Sequence, residues 1–166
     1  AHNAVIVYSN HKSMWDPVII GCLLKRQIHF MAKEELFANP LFGFIIKKLN
    51  AFPVKRGMPD RKAIKKALQV LNNKQVLGIF PEGTRSKDGK LHEPEPGVAL
   101  IAAKSKDVTL VPTAISGKYK LFSRIDIIFG KPLKFDEYCQ SERLTSQELK
   151  EISVAIFSEV AKLIPS

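Results

Sequence analysis

The stretch that decides the fold spans residues 4–17 and reads Ala4-Val5-Ile6-Val7-Tyr8-Ser9-Asn10-His11-Lys12-Ser13-Met14-Trp15-Asp16-Pro17. Its first part is apolar and rich in β-branched residues, which predicts a buried strand over Ala4–Ser9. Asp16 and Pro17 favour the start of a helix, because Asp suits the N-cap and Pro the first helical position. A strand followed at once by a helix is typical of an α/β fold, and His11 lies on the connection.

Further strands are expected in five other segments, which are short, apolar and mostly β-branched or aromatic. They are Ile28–Lys33, Ala51–Lys55, Val76–Phe80, Val108–Ile115 and Arg124–Phe129. Helical segments lie between most of them. This alternation predicts the α/β class, with a mostly parallel or mixed central sheet flanked by helices in a single domain over residues 1–166.

The sequence predicts the apolar faces and caps of two helices. Residues 61–73 carry an apolar face opposite a lysine-rich face, and Asp60 is placed as the N-cap. Near the end of the chain, Thr145 and Glu148 form a capping box before an apolar stripe of helical spacing. We expect this last helix to cover the sheet without a catalytic role.

Charged or polar groups follow the first four expected strands. His11 follows the first, Lys33 ends the second, Lys55-Arg56-Gly57 follows the third, and Glu82 to Arg85 follow the fourth. In open α/β sheets, ligands bind beyond the carboxyl ends of the strands. The sequence therefore predicts one site at this edge of the sheet.

The charge balance narrows the class of partner. Lys and Arg total 26 against 16 Asp and Glu, a formal net charge of +10, which suits nucleic acid, an anionic membrane or an acidic protein. Binding of nucleic acid calls for base-stacking aromatics among the cations. The chain has three Tyr and one Trp, and most of its ten Phe lie in apolar runs, so nucleic acid is the least favoured partner.

Metal chemistry and a membrane-spanning segment are not indicated. Cys22 and Cys139 are far apart, the four His have no ligand spacing, and Cys22 is expected to be buried in its apolar run. No apolar stretch approaches the roughly 20 residues of a spanning helix. The chain opens without Met and leads almost at once into a strand, so we expect that an N-terminal segment precedes it.

His11 and Asp16 are the candidate catalytic pair. On a regular helix they would lie about 140° apart, so contact between them requires a turn or a partial helix start. A histidine held by a carboxylate removes a proton from a hydroxyl near neutral pH. The alternative is that Asp16 only caps a helix and His11 is an ordinary loop residue.

Two further motifs carry candidate anion ligands. In Val54-Lys55-Arg56-Gly57, Arg56 can bind a phosphate with two hydrogen bonds and Gly57 lets the backbone come close, although a solvated basic turn is the alternative. In Phe80-Pro81-Glu82-Gly83-Thr84-Arg85-Ser86, Gly83 permits a sharp turn and Arg85 is a second phosphate candidate. Glu82 either orients Arg85 or binds an acceptor hydroxyl, and a simple loop ion pair is the alternative.

The histidine motif followed by the second strand-end motif resembles the glycerolipid acyltransferase family over roughly residues 4–132. The resemblance implies that His11 is a general base oriented by Asp16. The acceptor and its phosphate would contact the following residues: Lys33, Lys55, Arg56, Gly57, Glu82, Gly83, Thr84 and Arg85. Val111-Pro112 matches a fourth family block and would form a wall for the acyl chain.

The implied reaction moves a fatty acyl group from an acyl-carrier-protein or CoA thioester to the free hydroxyl of 1-acylglycerol 3-phosphate, giving phosphatidic acid. No metal or cofactor is implied. There is no GxSxG motif and no cysteine near His11, which favours direct transfer over an acyl-enzyme. The family resemblance also implies a location at the cytoplasmic face of the cell membrane, peripheral or anchored by the preceding segment.

Three alternatives stay open. Where many relatives have a Phe-Lys pair, this chain has Glu93-Pro94-Glu95-Pro96-Gly97, so another lysophospholipid or glycerol 3-phosphate is the alternative acceptor. An inactive lipid-binding module is a further alternative, opposed by the intact His11 and Asp16. Residues 40–49, with large apolar groups beside two lysines, form either a membrane-interface segment or a helix packed on the sheet.

Overall fold

The structure is a computed structural model that describes residues 3–55, 57, 60–86, 88–105, 107–120, 123–139, 141 and 143–165. Strands and helices alternate along the chain. The strands are β1 (Ala4–Ser9), β2 (Ile28–Lys33), β3 (Phe52–Val54), β4 (Val76–Ile79), β5 (Val108–Gly117), β6 (Ile125–Phe129) and β7 (Leu133–Lys134). The helices are α1 (Asp16–Leu23), α2 (Pro40–Lys48), α3 (Arg61–Asn72), α4 (Gly97–Lys104) and α5 (Ser146–Leu163), with short 3₁₀ turns at Glu34–Phe37 and Phe135–Glu137.

The sheet is mixed, as the sequence predicts. Its order is β3-β2-β4-β1-β5-β6, and β7 pairs with β5 beside β6. The strands β3, β2, β4, β1 and β5 are mutually parallel, whereas β6 and β7 run antiparallel to β5. The carboxyl ends of β1 to β4 therefore meet at one edge, and β1 and β4 are direct neighbours there.

The core occupies both faces of the sheet because side chains alternate along the central strands. On β1, Ile6 and Tyr8 belong to the larger cluster, which also contains buried residues of α3, α4 and α5. Val7 belongs to the smaller cluster under α1, where it joins Ile20. The Tyr8 hydroxyl donates to the carbonyl oxygen of Ile156 at 3.1 Å, which joins β1 to α5.

Both helices that the sequence specifies in detail are present. The Asp60 side chain caps α3 by accepting from the backbone amides of Lys62 and Ala63, both at 3.0 Å. Thr145 and Glu148 form the expected capping box of α5. Local capping chemistry therefore fixes where these two helices begin.

Other sequence expectations need correction. The ends of β3, β4, β5 and β6 shift by one or two residues, and the short strand β7 was not predicted. Helix α1 has Trp15 at its N-cap and no side-chain cap, so the expectation that Asp16 is the N-cap is wrong. Cys22 is exposed rather than buried, because Ile20 is the apolar residue of α1 that enters the core.

Pro112 lies inside β5, where a residue without an N–H is unusual. The outer side of β5 pairs with β7 at residues 109 and 110 and with β6 from residue 113 onward. Pro112 thus falls in the gap between the two partners. Its carbonyl oxygen accepts from the amide of Gly130 at 2.8 Å, at the point where the chain leaves β6.

Candidate active site

His11 and Asp16 meet at the carboxyl end of β1. Nδ1 of His11 lies 2.7 Å from Oδ2 of Asp16, and both residues are buried. The contact forms because residues 12–15 make a turn before α1 begins, so the two side chains do not have to share a face of a helix. This geometry contradicts the alternative in which Asp16 is only a cap.

Asp16 is held in its ionised form by the groups around it. Besides His11, its Oδ2 accepts from the backbone amides of Lys12 at 2.6 Å and Ser13 at 2.8 Å, and Oδ1 accepts from the hydroxyl of Tyr119. Burial acts to raise the pKa of Asp16, but the hydrogen bonds from His11, Ser13, Tyr119 and Lys12 outweigh it, and the pKa is lowered. The ionised carboxylate favours the proton on Nδ1 of His11, so Nε2 is the atom that can accept a proton.

Aromatic packing fixes the plane of the His11 ring. Phe80 stacks on it with ring centroids 4.1 Å apart, and Phe30 stacks on Phe80 in turn at 5.6 Å. Gly78, which pairs with Phe30 across β2 and β4, makes room for this stack, because a Cβ there would overlap the Phe30 ring. The imidazole is therefore held at its edge by the Asp16 carboxylate and on its face by the Phe80 ring.

Glu82 holds the backbone of the site. Its Oε1 accepts from the amide of His11 at 2.9 Å and its Oε2 from the amide of His92 at 2.8 Å. No ion pair between Glu82 and Arg85 occurs in the part of the chain that the structure describes. Of the two predicted roles, the one of orienting Arg85 is wrong, and contact with an acceptor hydroxyl stays a prediction.

Two further contacts lock the histidine loop to its neighbours. The side-chain amide of Asn10 pairs with the backbone of Ile115 on β5. Its Nδ2 donates to the Ile115 carbonyl oxygen at 2.9 Å, and its Oδ1 accepts from the Ile115 amide at 2.7 Å. The amide of Ser86 donates to the carbonyl oxygen of His11 at 2.8 Å. The histidine loop is thus joined to β5 and to the loop after β4.

The predicted anion ligands lie along the same edge at increasing distance from His11. Neighbouring strands are about 4.8 Å apart, so the end of β2, with Lys33, lies about 10 Å from β1, and the end of β3, with Lys55, about 14 Å. Gly83 turns the loop after β4 with φ of 66°, and Thr84 and Arg85 that follow are exposed. Arg85 therefore comes from the strand next to the histidine.

The other cations have surface partners. Lys33 lies 3.1 Å from Glu35, and Lys55 lies 3.9 Å from Glu34. The amide of Lys55 also donates to Asp60 at 2.9 Å, which ties this basic turn to the start of α3. Gly57 is exposed with φ of 75°, and Arg56 lies outside the described residues.

Val111 and Pro112 face opposite sides of the sheet. Val111 packs against the small cluster under α1. A Cβ on Gly130 would lie 2.8 Å from Cγ of Pro112 and 3.0 Å from Cδ1 of Leu163, so both side chains pack closely around Gly130. Their role as a wall for an acyl chain stays a prediction.

Sequence reasoning missed three residues of the site: Asn10, Phe80 and Tyr119. Asn10 and Phe80 stand within the quoted motifs, and a polar residue or a ring next to the key positions was a usable signal. Tyr119 lies 103 residues from Asp16, and no local pattern marks it. Among the described residues, no group of three or more His, Cys, Asp or Glu could hold a metal ion.

The fold and site define an acyltransferase, and comparison with known proteins agrees. The family model described as Acyltransferase matches residues 1–116, and the chain belongs to this family. The chain is 34% identical to the 1-acyl-sn-glycerol-3-phosphate acyltransferase of Bacillus subtilis, over 92% of this chain and 82% of that protein. It is 32% identical to the lyso-ornithine lipid O-acyltransferase of Pseudomonas aeruginosa, over 65% of this chain and 41% of that protein.

A solved structure shares the fold. The crystal structure of the 1-acyl-sn-glycerophosphate acyltransferase PlsC from Thermotoga maritima matches with a TM-score of 0.69 and 27% identity, covering 98% of this chain and 67% of that one. The α/β fold predicted from the sequence is thus confirmed. The chain spans between 41% and 82% of the length of these related proteins.

Proposed function

We propose that this chain transfers a fatty acyl group from a thioester to the free hydroxyl of 1-acylglycerol 3-phosphate, forming phosphatidic acid. The observation that supports it most is the buried His11–Asp16 pair, which leaves Nε2 of His11 as a proton acceptor at the edge of the sheet. The similarity to a 1-acyl-sn-glycerol-3-phosphate acyltransferase over most of the chain supports the choice of acceptor.

The acyl group passes directly from the thioester to the acceptor, without an acyl-enzyme intermediate. Nε2 of His11 takes the proton of the acceptor hydroxyl as its oxygen forms a bond to the thioester carbonyl carbon. The carbon–sulfur bond then breaks, and the imidazolium returns the proton to the leaving thiolate. Asp16 stabilises the imidazolium between these two proton transfers, and a base placed in this way contributes roughly 10²- to 10⁴-fold in rate.

Cations near the histidine would hold the acceptor phosphate. Arg85 follows β4, the strand beside β1, whereas Lys33 and Lys55 follow strands farther away. We assign the phosphate to Arg85, with Lys55 as an outer ligand, and Arg56 stays a candidate from the sequence alone. Arginine suits this role because its guanidinium binds phosphate oxygens with two parallel hydrogen bonds.

A lysolipid whose headgroup carries a positive charge is the second candidate acceptor, and one contact favours it. A Cβ on Gly83 would lie 3.4 Å from Cγ of Glu95, so an acidic side chain stands against the loop that carries Arg85. A carboxylate there opposes a phosphate and suits an acceptor with a positive group. The similarity to a lyso-ornithine lipid acyltransferase is consistent with this alternative.

The donor is a fatty acyl thioester of acyl carrier protein or of CoA. The net charge of +10 supports either, because both the acidic carrier protein and the phosphates of CoA are attracted to a basic surface. Since both thioesters are cytoplasmic compounds, we place the reaction at the cytoplasmic face of the cell membrane. Within the described ranges, no helix is long and apolar enough to cross a bilayer.

The helix α2 is the surface that would meet the membrane. Leu41, Phe44 and Ile45 are 72%, 59% and 45% exposed, and with Lys48 they follow the i, i+3, i+4, i+7 spacing of one helix face. On the opposite face the buried Gly43 lies so close to the 3₁₀ turn that a Cβ would be 2.8 Å from the Phe37 carbonyl oxygen. Apolar side chains next to Lys47 and Lys48 suit an anionic bilayer interface, which favours the membrane interpretation of residues 40–49.

An acceptor panel tests this function. Purified protein is incubated in detergent micelles with acyl-carrier-protein or CoA thioesters and with lysophosphatidic acid, glycerol 3-phosphate or lyso-ornithine lipid, and products are identified by mass spectrometry. We expect phosphatidic acid as the main product. Preferred acylation of lyso-ornithine lipid would replace the acceptor assignment, and thioester hydrolysis without any acylated product would refute the function.

A further inference from the structure

Tyr119 contacts the catalytic pair from a part of the chain outside the recognised motifs. It follows β5, is partly buried, and packs against the small apolar cluster that contains Val7 and Ile20. Its hydroxyl donates to Oδ1 of Asp16. The match to the family model ends at residue 116, so Tyr119 lies beyond it.

The loop that carries Tyr119 is fixed at its base. Gly117 ends the pairing of β5 with β6 and has φ of 94°, and a Cβ there would overlap the carbonyl oxygen of Arg124. The carbonyl oxygen of Gly117 also accepts from Nζ of Lys12 at 2.7 Å. The loop is therefore joined to the histidine loop at two points, through Lys12 and through Asp16.

The two oxygens of Asp16 are used differently. Oδ2 accepts from Nδ1 of His11 and from two backbone amides, whereas the Tyr119 hydroxyl is the donor found for Oδ1 among the described residues. Without this donor, the buried Oδ1 loses its hydrogen bond, and the carboxylate is held through Oδ2 alone. We propose that Tyr119 is a positioning residue for acyl transfer, whose hydroxyl holds Oδ1 so that Oδ2 stays on Nδ1 of His11.

The charge state of the surroundings suits this role. Burial, and then the hydrogen bond to the Asp16 carboxylate, raise the pKa of Tyr119, so the phenol remains a donor throughout the neutral range. The other charged groups that contact the histidine loop are Lys12, bound to Gly117, and Glu82, bound to the amide of His11. Neither contacts Oδ1 of Asp16.

The test is the substitution Tyr119→Phe, which removes one oxygen and keeps the ring. Its matched control is Tyr138→Phe, since Tyr138 is also partly buried but packs against the larger cluster on the other face of the sheet. The first readout is the ¹⁵N spectrum of the His11 imidazole, which reports the tautomer and needs no substrate. We expect a single Nδ1–H tautomer in the wild type and in Tyr138→Phe, and a mixture in Tyr119→Phe.

The second readout is kinetic and rests on the proposed acyl transfer. Tyr119→Phe should lower kcat roughly tenfold with little change in the KM of the acceptor. In an Asp16→Asn background the same substitution should have little further effect on kcat, since the carboxylate it positions is gone.

Three outcomes would overturn the inference. One is an unchanged tautomer with unchanged kcat in Tyr119→Phe. Another is an equal loss in Tyr138→Phe, and the third is a loss of the same size in the Asp16→Asn background. If the tautomer is mixed in Tyr119→Phe but the wild type transfers no acyl group, the proposed function fails while the positioning role of Tyr119 stands.

Discussion

Asp16 carries a buried negative charge because His11, Tyr119 and two backbone amides donate to its two oxygens. The arrangement resembles that of other catalytic carboxylates, which orient an imidazole and stabilise its protonated form without becoming protonated. The family resemblance implied the contact with His11, whereas the Asp16-Pro17 pair predicted a capping role for Asp16 that the structure does not have. Its carboxylate turns back to the amides of Lys12 and Ser13 instead.

Substitution Asp16→Asn should show that the carboxylate both orients His11 and stabilises the fold. We expect kcat to fall roughly 10³- to 10⁴-fold, because an amide favours the wrong imidazole tautomer. The pKa of Asp16 is lowered in the folded state, so its ionisation stabilises the fold above the unfolded pKa, and this stability is lost as pH falls through the folded pKa. The difference in unfolding free energy between wild type and variant, from urea titrations, should therefore be constant above about pH 5 and change toward acid pH. A difference that is flat down to pH 2 would contradict the role of the charge.

Substitution Glu82→Gln separates the two roles considered for this side chain. Both carboxylate oxygens accept from backbone amides, and a Gln side chain would turn its NH₂ toward one of those donors. We expect a loss of about 1–3 kcal/mol in the free energy of unfolding and a lower kcat, with the KM of the acceptor nearly unchanged. A raised KM in a fully stable variant would instead place Glu82 on the acceptor.

At the scale of elements, the cap of α3 also orders the basic turn before it. Asp60 accepts from the amides of Lys62 and Ala63, which begin the helix, and from the amide of Lys55, which belongs to the predicted phosphate turn. The sequence pattern identified the cap alone, because the bond to Lys55 depends on how the chain turns between β3 and α3. One side chain thus links helix stability to the position of the cations.

Substitution Asp60→Ala should affect stability and acceptor binding together. Loss of the cap costs about 1 kcal/mol, measured by thermal or urea unfolding. The KM of the acceptor should rise, because Lys55 loses its backbone anchor. The control is Thr145→Ala, which removes the cap of α5 at a similar cost and should leave the KM unchanged. Equal KM values in the two variants would show that the basic turn at Lys55 does not take part in acceptor binding.

At the scale of the whole molecule, strand order is what brings the site together. Alternating strands and helices predicted the α/β sheet. The polar groups after the strands predicted that the site lies at the carboxyl edge of the sheet. The order β3-β2-β4-β1-β5-β6 was not predictable, because it depends on which strands pair across the chain rather than on local pattern. The same limit explains why the site residue Tyr119, which enters from beyond β5, escaped the sequence interpretation.

The outward face of α2 should decide how the protein binds lipid. The double substitution Leu41→Ser and Phe44→Ser should weaken binding to vesicles containing anionic phosphatidylglycerol by at least about tenfold, because two large apolar groups no longer enter the interface. Substituting Lys47 and Lys48 by Gln should reduce the preference for anionic over neutral vesicles. Sedimentation with vesicles measures both.

The control is Val154→Ser on α5, which also removes an exposed apolar side chain. It should leave vesicle binding unchanged. Binding that survives the double substitution in α2, or that falls equally in the control, would show that another surface meets the membrane. Each variant should keep its thermal stability, since these side chains lie on the surface.

One assay tests whether His11 is the base of acyl transfer to 1-acylglycerol 3-phosphate. Phosphatidic acid formation and thiol release are followed together in the wild type and in His11→Ala, with acceptor binding measured separately by calorimetry. We expect equal amounts of product and thiol in the wild type, a roughly 10²- to 10⁴-fold slower rate in His11→Ala, and unchanged acceptor affinity. A variant that transfers acyl groups at close to the wild-type rate, or thiol release by the wild type without an acylated product, would contradict it.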